Sequence, residues 1–215
     1  TIREVKRLTG RMVAINLEPA TIKNNNEESV WNLTTGRQAT VENARKAADM
    51  GVDMIVLTGN PGVGVDNEAI MQALSKLKDA VGDRVILTAG KMHASGIISE
   101  AGEKILTEKD IVDFIDAGAD VILLPAPGTV PGITMEYAGK LIKKAHEKGA
   151  LAMTTIGTSQ EGADEDTIRQ IALMCKMAGA DIHHIGDSGY MGMALPENIT
   201  AYSVAIRGKR HTYRR

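Results

Sequence analysis

The stretch Ala117-Gly118-Ala119-Asp120-Val121-Ile122-Leu123-Leu124 contains the pattern that decides the fold. A helix ends at glycine or another small residue, an aspartate follows, and an apolar run of strand length comes next. The same pattern recurs at 50–57 and at 178–185, so its aspartates are 67 and 61 residues apart (120 − 53 and 181 − 120). Glycine ends helices because it adopts the left-handed conformation without steric cost. The recurrence therefore predicts a repeated helix-to-strand unit.

A second pattern alternates with the first and consists of a glycine, one or two residues and another short apolar run. Its glycines are Gly10, Gly82 and Gly149. Together the two patterns predict strands at 11–17, 53–58, 84–89, 120–125, 150–156 and 181–186. Helices are predicted at 40–50, 67–80, 108–117, 134–148, 165–178 and 196–206, with Thr40, Asp66, Thr107, Thr134 and Asp164 as N-caps. Such alternation through short turns is typical of parallel strands with right-handed crossovers.

Six strand–helix units predict an α/β fold in which the last six units of a (β/α)8 TIM barrel are visible. The whole chain, 1–215, would form a single barrel domain from which an N-terminal double unit of about 65 residues is absent, since a full barrel has about 250 residues. The alternative is an open, doubly wound sheet of six strands. The even spacing of the repeat favours the barrel, in which the visible strands are the third to the eighth.

Composition excludes several classes of protein. The chain has 215 residues, 43% hydrophobic and 24% charged, which is the balance of a globular domain. The net charge of −2 gives no reason to expect nucleic acid or a membrane surface as a partner. No apolar stretch approaches the ~20 residues that a membrane-spanning helix needs. The single cysteine, Cys175, fits a reducing compartment, so we expect a cytoplasmic protein.

The polar residues that follow the predicted strands are the candidate site residues, because the loops after the strands form the active face of a TIM barrel. Asp53, Asp120 and Asp181 stand at strand starts, so we expect them to shape strand entry rather than bind a metal. The loops after strands seven and eight carry glycine, serine and threonine, which suit a phosphate; such residues also make tight turns without a ligand. The predicted substrate- or phosphate-binding residues are Asn16, Thr58, Gly157, Thr158, Ser159, His184, Gly186, Ser188 and Gly189.

Lys91 and His93, after the fifth strand, are the candidate catalytic residues, together with Glu18 after the third. A lysine at the mouth of an apolar barrel can lose its proton through desolvation and then act as a Schiff-base nucleophile or as a base. His93 could transfer protons near neutral pH, and Glu18 could act as a general base. The alternative is that Lys91 and His93 are exposed in a loop and have no catalytic role.

A divalent metal is the one cofactor that the sequence suggests, and only as an alternative. His183 and His184 are adjacent in the last strand, so one points into the barrel and the other toward the helices. The inward histidine, expected to be His184, could bind a metal together with Glu18 and Asp187. Two adjacent histidines in a strand cannot chelate from one face, so their spacing is not that of a metal motif.

Three stretches carry a resemblance to a bacterial TIM-barrel family. They are Ile15-Asn16-Leu17-Glu18-Pro19, Val56-Leu57-Thr58-Gly59-Asn60-Pro61 and His184-Ile185-Gly186-Asp187-Ser188-Gly189. The resemblance covers the whole chain, and members of the family carry labels such as phosphoenolpyruvate phosphonomutase-like or haloacid dehalogenase-like hydrolase. The barrel is also broadly similar to the BtpA and ribulose-phosphate-binding barrels at the level of the fold.

The residues do not support either label. Dehalogenase-type phosphatases have an Asp-x-Asp-x-Thr/Val motif after a buried strand, whereas the nearest string, at 164–168, opens a predicted helix and ends in isoleucine. The mutase label implies a Lys-x-Cys-Gly segment, whereas the single cysteine lies within a predicted helix. The resemblance therefore implies the fold and leaves the reaction open.

We expect an enzyme of lyase or isomerase type that acts on a small phosphorylated or carboxylated metabolite. This anionic small molecule is the expected partner, whereas nucleic acid and membrane are not expected. The long loops 18–39 and 90–107 indicate lids or subunit contacts. Subunit contacts would make the protein a homo-oligomer. A metal-dependent hydrolase and a non-catalytic binding or assembly protein are the alternatives.

Overall fold

The computed structural model describes residues 1–20, 33–59, 64–93, 102–186 and 194–214. Helices and strands alternate along the chain. Their bounds are α1 (Ile2–Thr9), β1 (Ala14–Leu17), α2 (Val41–Asp49), β2 (Met54–Leu57), α3 (Asn67–Val81), β3 (Ile86–Gly90), α4 (Glu108–Asp116), β4 (Val121–Pro125), α5 (Met135–Glu147), β5 (Leu151–Ile156), α6 (Glu165–Ala178), β6 (Ile182–Ile185) and α7 (Pro196–Thr212). Every predicted strand and helix is present, and most ends agree within three residues.

The predicted N-caps are confirmed. Each cap side chain accepts a hydrogen bond from a backbone N–H of the first turn of its helix, as the polar-cap rule requires. The caps are Thr40 of α2, Asp66 of α3, Thr107 of α4, Thr134 of α5 and Asp164 of α6. No helix in the described part of the chain is long and apolar enough to cross a membrane.

The six strands form one parallel sheet in the order β1-β2-β3-β4-β5-β6. A doubly wound sheet reverses its strand order at a switch point, and this sheet has no reversal, so the open-sheet alternative is wrong. Strands and helices together form a curled half-barrel of the α/β TIM type. Within the described residues, β1 and β6 each pair with one strand only. The two further strands of a closed barrel therefore remain a prediction.

The side chains of the strands divide between two apolar layers, because successive residues point to opposite faces of a sheet. The inner layer contains Met54, Val121, Leu123 and Met153, with Val56, Ile86, Met92 and Ile182 packed against them. The outer layer is larger and joins the strands to the covering helices. The carboxyl ends of the strands extend beyond the inner layer. Polar residues at these ends therefore lie at one edge of an apolar core.

The repeating aspartates serve strand entry, as predicted. Each aspartate accepts a hydrogen bond from a backbone N–H in, or just before, the preceding strand of the sheet. Each also accepts one from a basic side chain on the helix that leads into that preceding strand. The donors are Val13 and Lys6 for Asp53, Leu87 and Lys78 for Asp120, and Ala152 and His146 for Asp181. One arrangement therefore recurs in three double units, at the face opposite the carboxyl ends of the strands.

Candidate functional site

Glu18 lies directly after β1 and is almost fully buried, at 6% exposure. The short 3-10 helix Thr35–Arg37 brings Arg37 back to it, and the two side chains form an ion pair. The backbone is joined as well, since the N–H of Glu18 donates to the carbonyl of Arg37 at 2.7 Å. The sequence did not indicate Arg37, because nothing in the loop shows which residue folds back onto the end of β1.

Gly59, two residues after β2, lies against this carboxylate. A Cβ atom at Gly59 would stand 3.0 Å from Oε2 of Glu18 and 2.8 Å from a methyl carbon of Val65. Any other residue would displace these neighbours, so the glycine permits the close approach. Beside it, the side-chain amide of Asn16 donates to the carbonyl of Thr58 at 3.1 Å. Asn16 thus contacts Thr58, and Glu18 lies against the adjacent Gly59, while the roles predicted for these residues stay predictions.

Lys91 follows β3 and is 1% exposed. Lysine is among the residues that are least often buried to this extent. The preceding Gly90 has a φ of 155°, and a Cβ atom there would lie 1.8 Å from the carbonyl oxygen of Leu123 on β4. Only glycine therefore fits at the last position of β3, directly before Lys91. The alternative in which Lys91 is exposed in a loop is wrong, whereas His93 is half-buried.

The two adjacent histidines of β6 face opposite sides, as predicted. Nδ1 of His183 lies 3.0 Å from the hydroxyl of Tyr202 on α7, so this ring belongs to the outer layer. Burial lowers the pKa of His183, with a smaller opposing effect of Asp181. Nδ1 of His184 lies 2.9 Å from Oγ1 of Thr155, its partner in register on β5. His184 is therefore the histidine at the inner face.

The loop after β5 contains three of the predicted phosphate-binding residues. The hydroxyl of Thr158 donates to the carbonyl of Thr129 at 3.0 Å and also contacts the side chain of Gln160. Ser159 adopts a left-handed conformation with a φ of 72°. A Cβ atom at Gly157 would stand 2.5 Å from Cβ of Met92, so this loop contacts the segment after β3.

The second predicted phosphate loop is described only in part. Gly186 is buried at the end of β6, while Asp187, Ser188 and Gly189 lie outside the described residues. The phosphate site therefore stays a prediction. The metal site does as well: Glu18 is paired with Arg37, His184 contacts Thr155, and the described ranges contain no group of three His, Cys, Asp or Glu side chains that could hold a metal ion.

The whole chain, residues 1–215, matches the model of a family described as Domain of unknown function (DUF7916). The chain belongs to this family. Among curated proteins it is similar to one from Haemophilus influenzae that carries the name of N-acetylmannosamine-6-phosphate 2-epimerase, with 37% identity over 89 residues, or 41% of this chain and 33% of that protein. A protein of the same name from Actinobacillus pleuropneumoniae serotype 5b is 36% identical over 88 residues. The matched part spans about a third of these relatives' length.

Two solved structures share the fold. The deoxyribose phosphate aldolase from Aeropyrum pernix, described as a tetramer, superposes with a TM-score of 0.60 at 15% identity, covering 95% of this chain and 78% of that one. A protein from Burkholderia cenocepacia J2315 described as a lyase/mutase superposes with a TM-score of 0.56 at 15% identity, covering 95% and 69%. At this identity the likeness shows the fold alone, and it agrees with the half-barrel.

Proposed function

We propose that this chain forms most of the barrel of an isomerase or lyase that acts on a small phosphorylated sugar. The observation that carries the proposal is the nearly complete burial of Lys91 at the carboxyl end of β3. The names of the curated relatives point to epimerisation of a phosphorylated sugar. An epimerase of this kind must remove a proton from carbon and return one, which requires positioned acids and bases.

Lys91 can serve this chemistry in two ways. Its amine can attack a substrate carbonyl and form an imine with loss of water, which acidifies the neighbouring C–H bond or weakens the neighbouring C–C bond. Alternatively, it can accept the proton from that carbon directly. Isomerases and lyases share this activation next to a carbonyl, so one lysine suits both reactions.

The remaining predicted residues complete the proposed site. Glu18 assists proton transfer from a position held by Arg37, and His184 contributes a ring held by Thr155. His93 is a second proton carrier beside Lys91. The anion of the substrate is held by the loops after β5 and β6, through Gly157, Thr158, Ser159 and Gly186 together with Ser188 and Gly189.

The test uses the whole protein and a panel of hexose and pentose phosphates. Proton exchange with D2O next to the carbonyl, followed by NMR, detects an isomerase, and formation of two smaller carbonyl products detects a lyase. Lys91→Met should lower the rate at least ~100-fold, because general acid–base or nucleophilic groups contribute this much. The exposed Lys76 provides the control, and Lys76→Met should retain the wild-type rate.

Borohydride reduction distinguishes the two roles of Lys91. A substrate adduct on the peptide that contains Lys91, found by mass spectrometry, would show that Lys91 forms an imine. An active enzyme without this adduct would show that Lys91 acts as the base. A Lys91→Met protein that folds and retains the full rate on an identified substrate would refute the proposal.

A further inference from the structure

Thr58 and Thr88 are buried threonines whose hydroxyl groups have no hydrogen-bond partner in the described part of the chain. They are 2% and 0% exposed, respectively. A hydroxyl buried without a partner destabilises the folded protein, and valine has the same shape without this cost. Two such hydroxyls stand near the carboxyl ends of neighbouring strands, where the polar groups of a ligand would supply the missing hydrogen bonds.

The register of the sheet brings the two hydroxyls to one place. Val56 of β2 is paired with Thr88 of β3, so Thr58 lies two residues further toward the carboxyl end. Val56 and Ile86 belong to the inner layer, and alternation places Thr58 and Thr88 on the same face. Strand spacing and rise separate their Cα atoms by roughly 8 Å, a span that one small molecule can bridge.

The strand position that follows Thr88 on this face carries no side chain. Gly90 is the next residue after Thr88 on this face, and the carbonyl of Leu123 excludes a Cβ atom there. Asn16 of β1 borders the same area, in register with Val56. Its side-chain amide donates a hydrogen bond to the carbonyl of Thr58. Val56 and Ile86 of the inner layer precede the two threonines on the same face.

These groups are neutral, and each hydroxyl can donate and accept a hydrogen bond. A phosphate is bound by cations and converging N–H groups, whereas the side chains of Thr58, Thr88 and Asn16 are neutral. Alcohol groups on adjacent carbons, which also donate and accept, match two hydroxyls and an amide. We propose that Thr58 and Thr88 form a subsite that binds the hydroxyl-bearing carbon chain of the phosphorylated sugar. The inference rests on the proposed function and adds the basis of its specificity.

The experiment compares two stable probes by calorimetry on the full-length protein: glucitol 6-phosphate and hexyl phosphate, which has the same chain length without hydroxyls. The wild type should bind glucitol 6-phosphate at least about tenfold more tightly, since a site built for hydroxyls rejects a ligand that lacks them. Thr58→Val and Thr88→Val should each lower this affinity about fivefold to tenfold and leave binding of hexyl phosphate unchanged.

Thermal unfolding supplies a second readout that a structural role would not produce. Because valine removes an unpartnered hydroxyl, both variants should melt at or above the wild-type temperature. Thr129→Val is the matched control: the hydroxyl of this buried threonine donates to the carbonyl of Ala126 at 2.7 Å, so its loss should lower the melting temperature and preserve the preference for the glucitol probe.

Each other outcome is decisive. Equal binding of the two probes by the wild type overturns the subsite and leaves the proposed function standing, whereas binding of neither overturns both. Valine variants that keep the full preference for glucitol 6-phosphate, or that melt several degrees lower, would show that the hydroxyls serve the protein itself and would overturn the subsite.

Discussion

Asp53 shows how one side chain connects three elements of the barrel. One carboxylate oxygen accepts the ammonium of Lys6 on α1 at 2.7 Å, and the other accepts the N–H of Val13 before β1 at 2.8 Å. The hydrogen bond from Lys6, followed by that from Val13, lowers the pKa of Asp53. The sequence predicted this role from the recurrence of an aspartate at strand starts. It did not show the basic partner on the preceding helix, because that pairing spans 47 residues.

We predict that Asp53→Asn lowers the free energy of unfolding by about 1 kcal/mol, since it removes a charge-assisted hydrogen bond in a partly buried place. A carboxyl whose pKa is lower in the folded state stabilises the protein above its unfolded pKa, about 3.9, and loses this effect as the pH falls through the folded pKa. In urea titrations, the difference in free energy of unfolding between Asp53→Asn and wild type should therefore be constant above about pH 5 and should shrink below about pH 4.

The control for Asp53→Asn is Asp49→Asn, whose side chain is 69% exposed and pairs with the exposed Arg84. Its effect should stay below about 0.5 kcal/mol, the range of surface ion pairs. An Asp53→Asn difference that does not depend on pH would contradict the prediction.

At the scale of elements, the helices begin where their cap residues predict. The caps act locally, through a side chain and a backbone N–H at most three residues away, so the sequence alone was enough to place them. The end of α7 differs from the expectation: it was predicted at 206, and the helical run continues to Thr212 with a break at Gly208, where φ is 75°. Glycine tolerates this conformation, and the residues after it resume a helical turn.

We predict that the N-cap of α4 is worth more than that of α5. Thr107 and Asp110 form a reciprocal capping box, whereas Thr134 makes a single hydrogen bond, to the N–H of Tyr137. Thr107→Ala should lower the free energy of unfolding by about 1–2 kcal/mol and Thr134→Ala by about 1 kcal/mol or less. Thr107→Ser, which retains the oxygen, is the control and should be near wild type in denaturant unfolding. Equal losses at the two caps would refute the ranking.

At the scale of the whole molecule, the residues of the middle strands are more deeply buried than those of the two edge strands. All five residues of β4 are buried, whereas Ala14 and Asn16 of β1 are exposed and the residues of β6 are half-buried. Parallel sheets are normally covered on both faces, and free strand edges tend to pair with other chains. We propose that two further strands lie between β1 and β6 in the complete barrel.

This proposal predicts that the 215-residue chain alone self-associates and binds a hydrophobic dye. A chain extended by the preceding double unit, about 65 residues by the spacing of the repeat, should do neither. Size-exclusion chromatography with light scattering over a range of concentrations measures the first property, and dye fluorescence measures the second. A 215-residue chain that stays monomeric and dye-free at all concentrations would show that its edges are already covered.

The sequence by itself determined the order of strands and helices, their caps and the strand-entry aspartates, because periodicity, capping and glycine turns act over a few residues and the repeat multiplies their signal. It also placed Lys91, Glu18 and His184 at the carboxyl ends of strands. Only the tertiary structure decided that Lys91 is buried, that Arg37 returns to Glu18, and that the hydroxyls of Thr58 and Thr88 lack partners in the described residues. These properties depend on which segments meet across the barrel, and contacts between distant segments leave no pattern in the sequence around either partner.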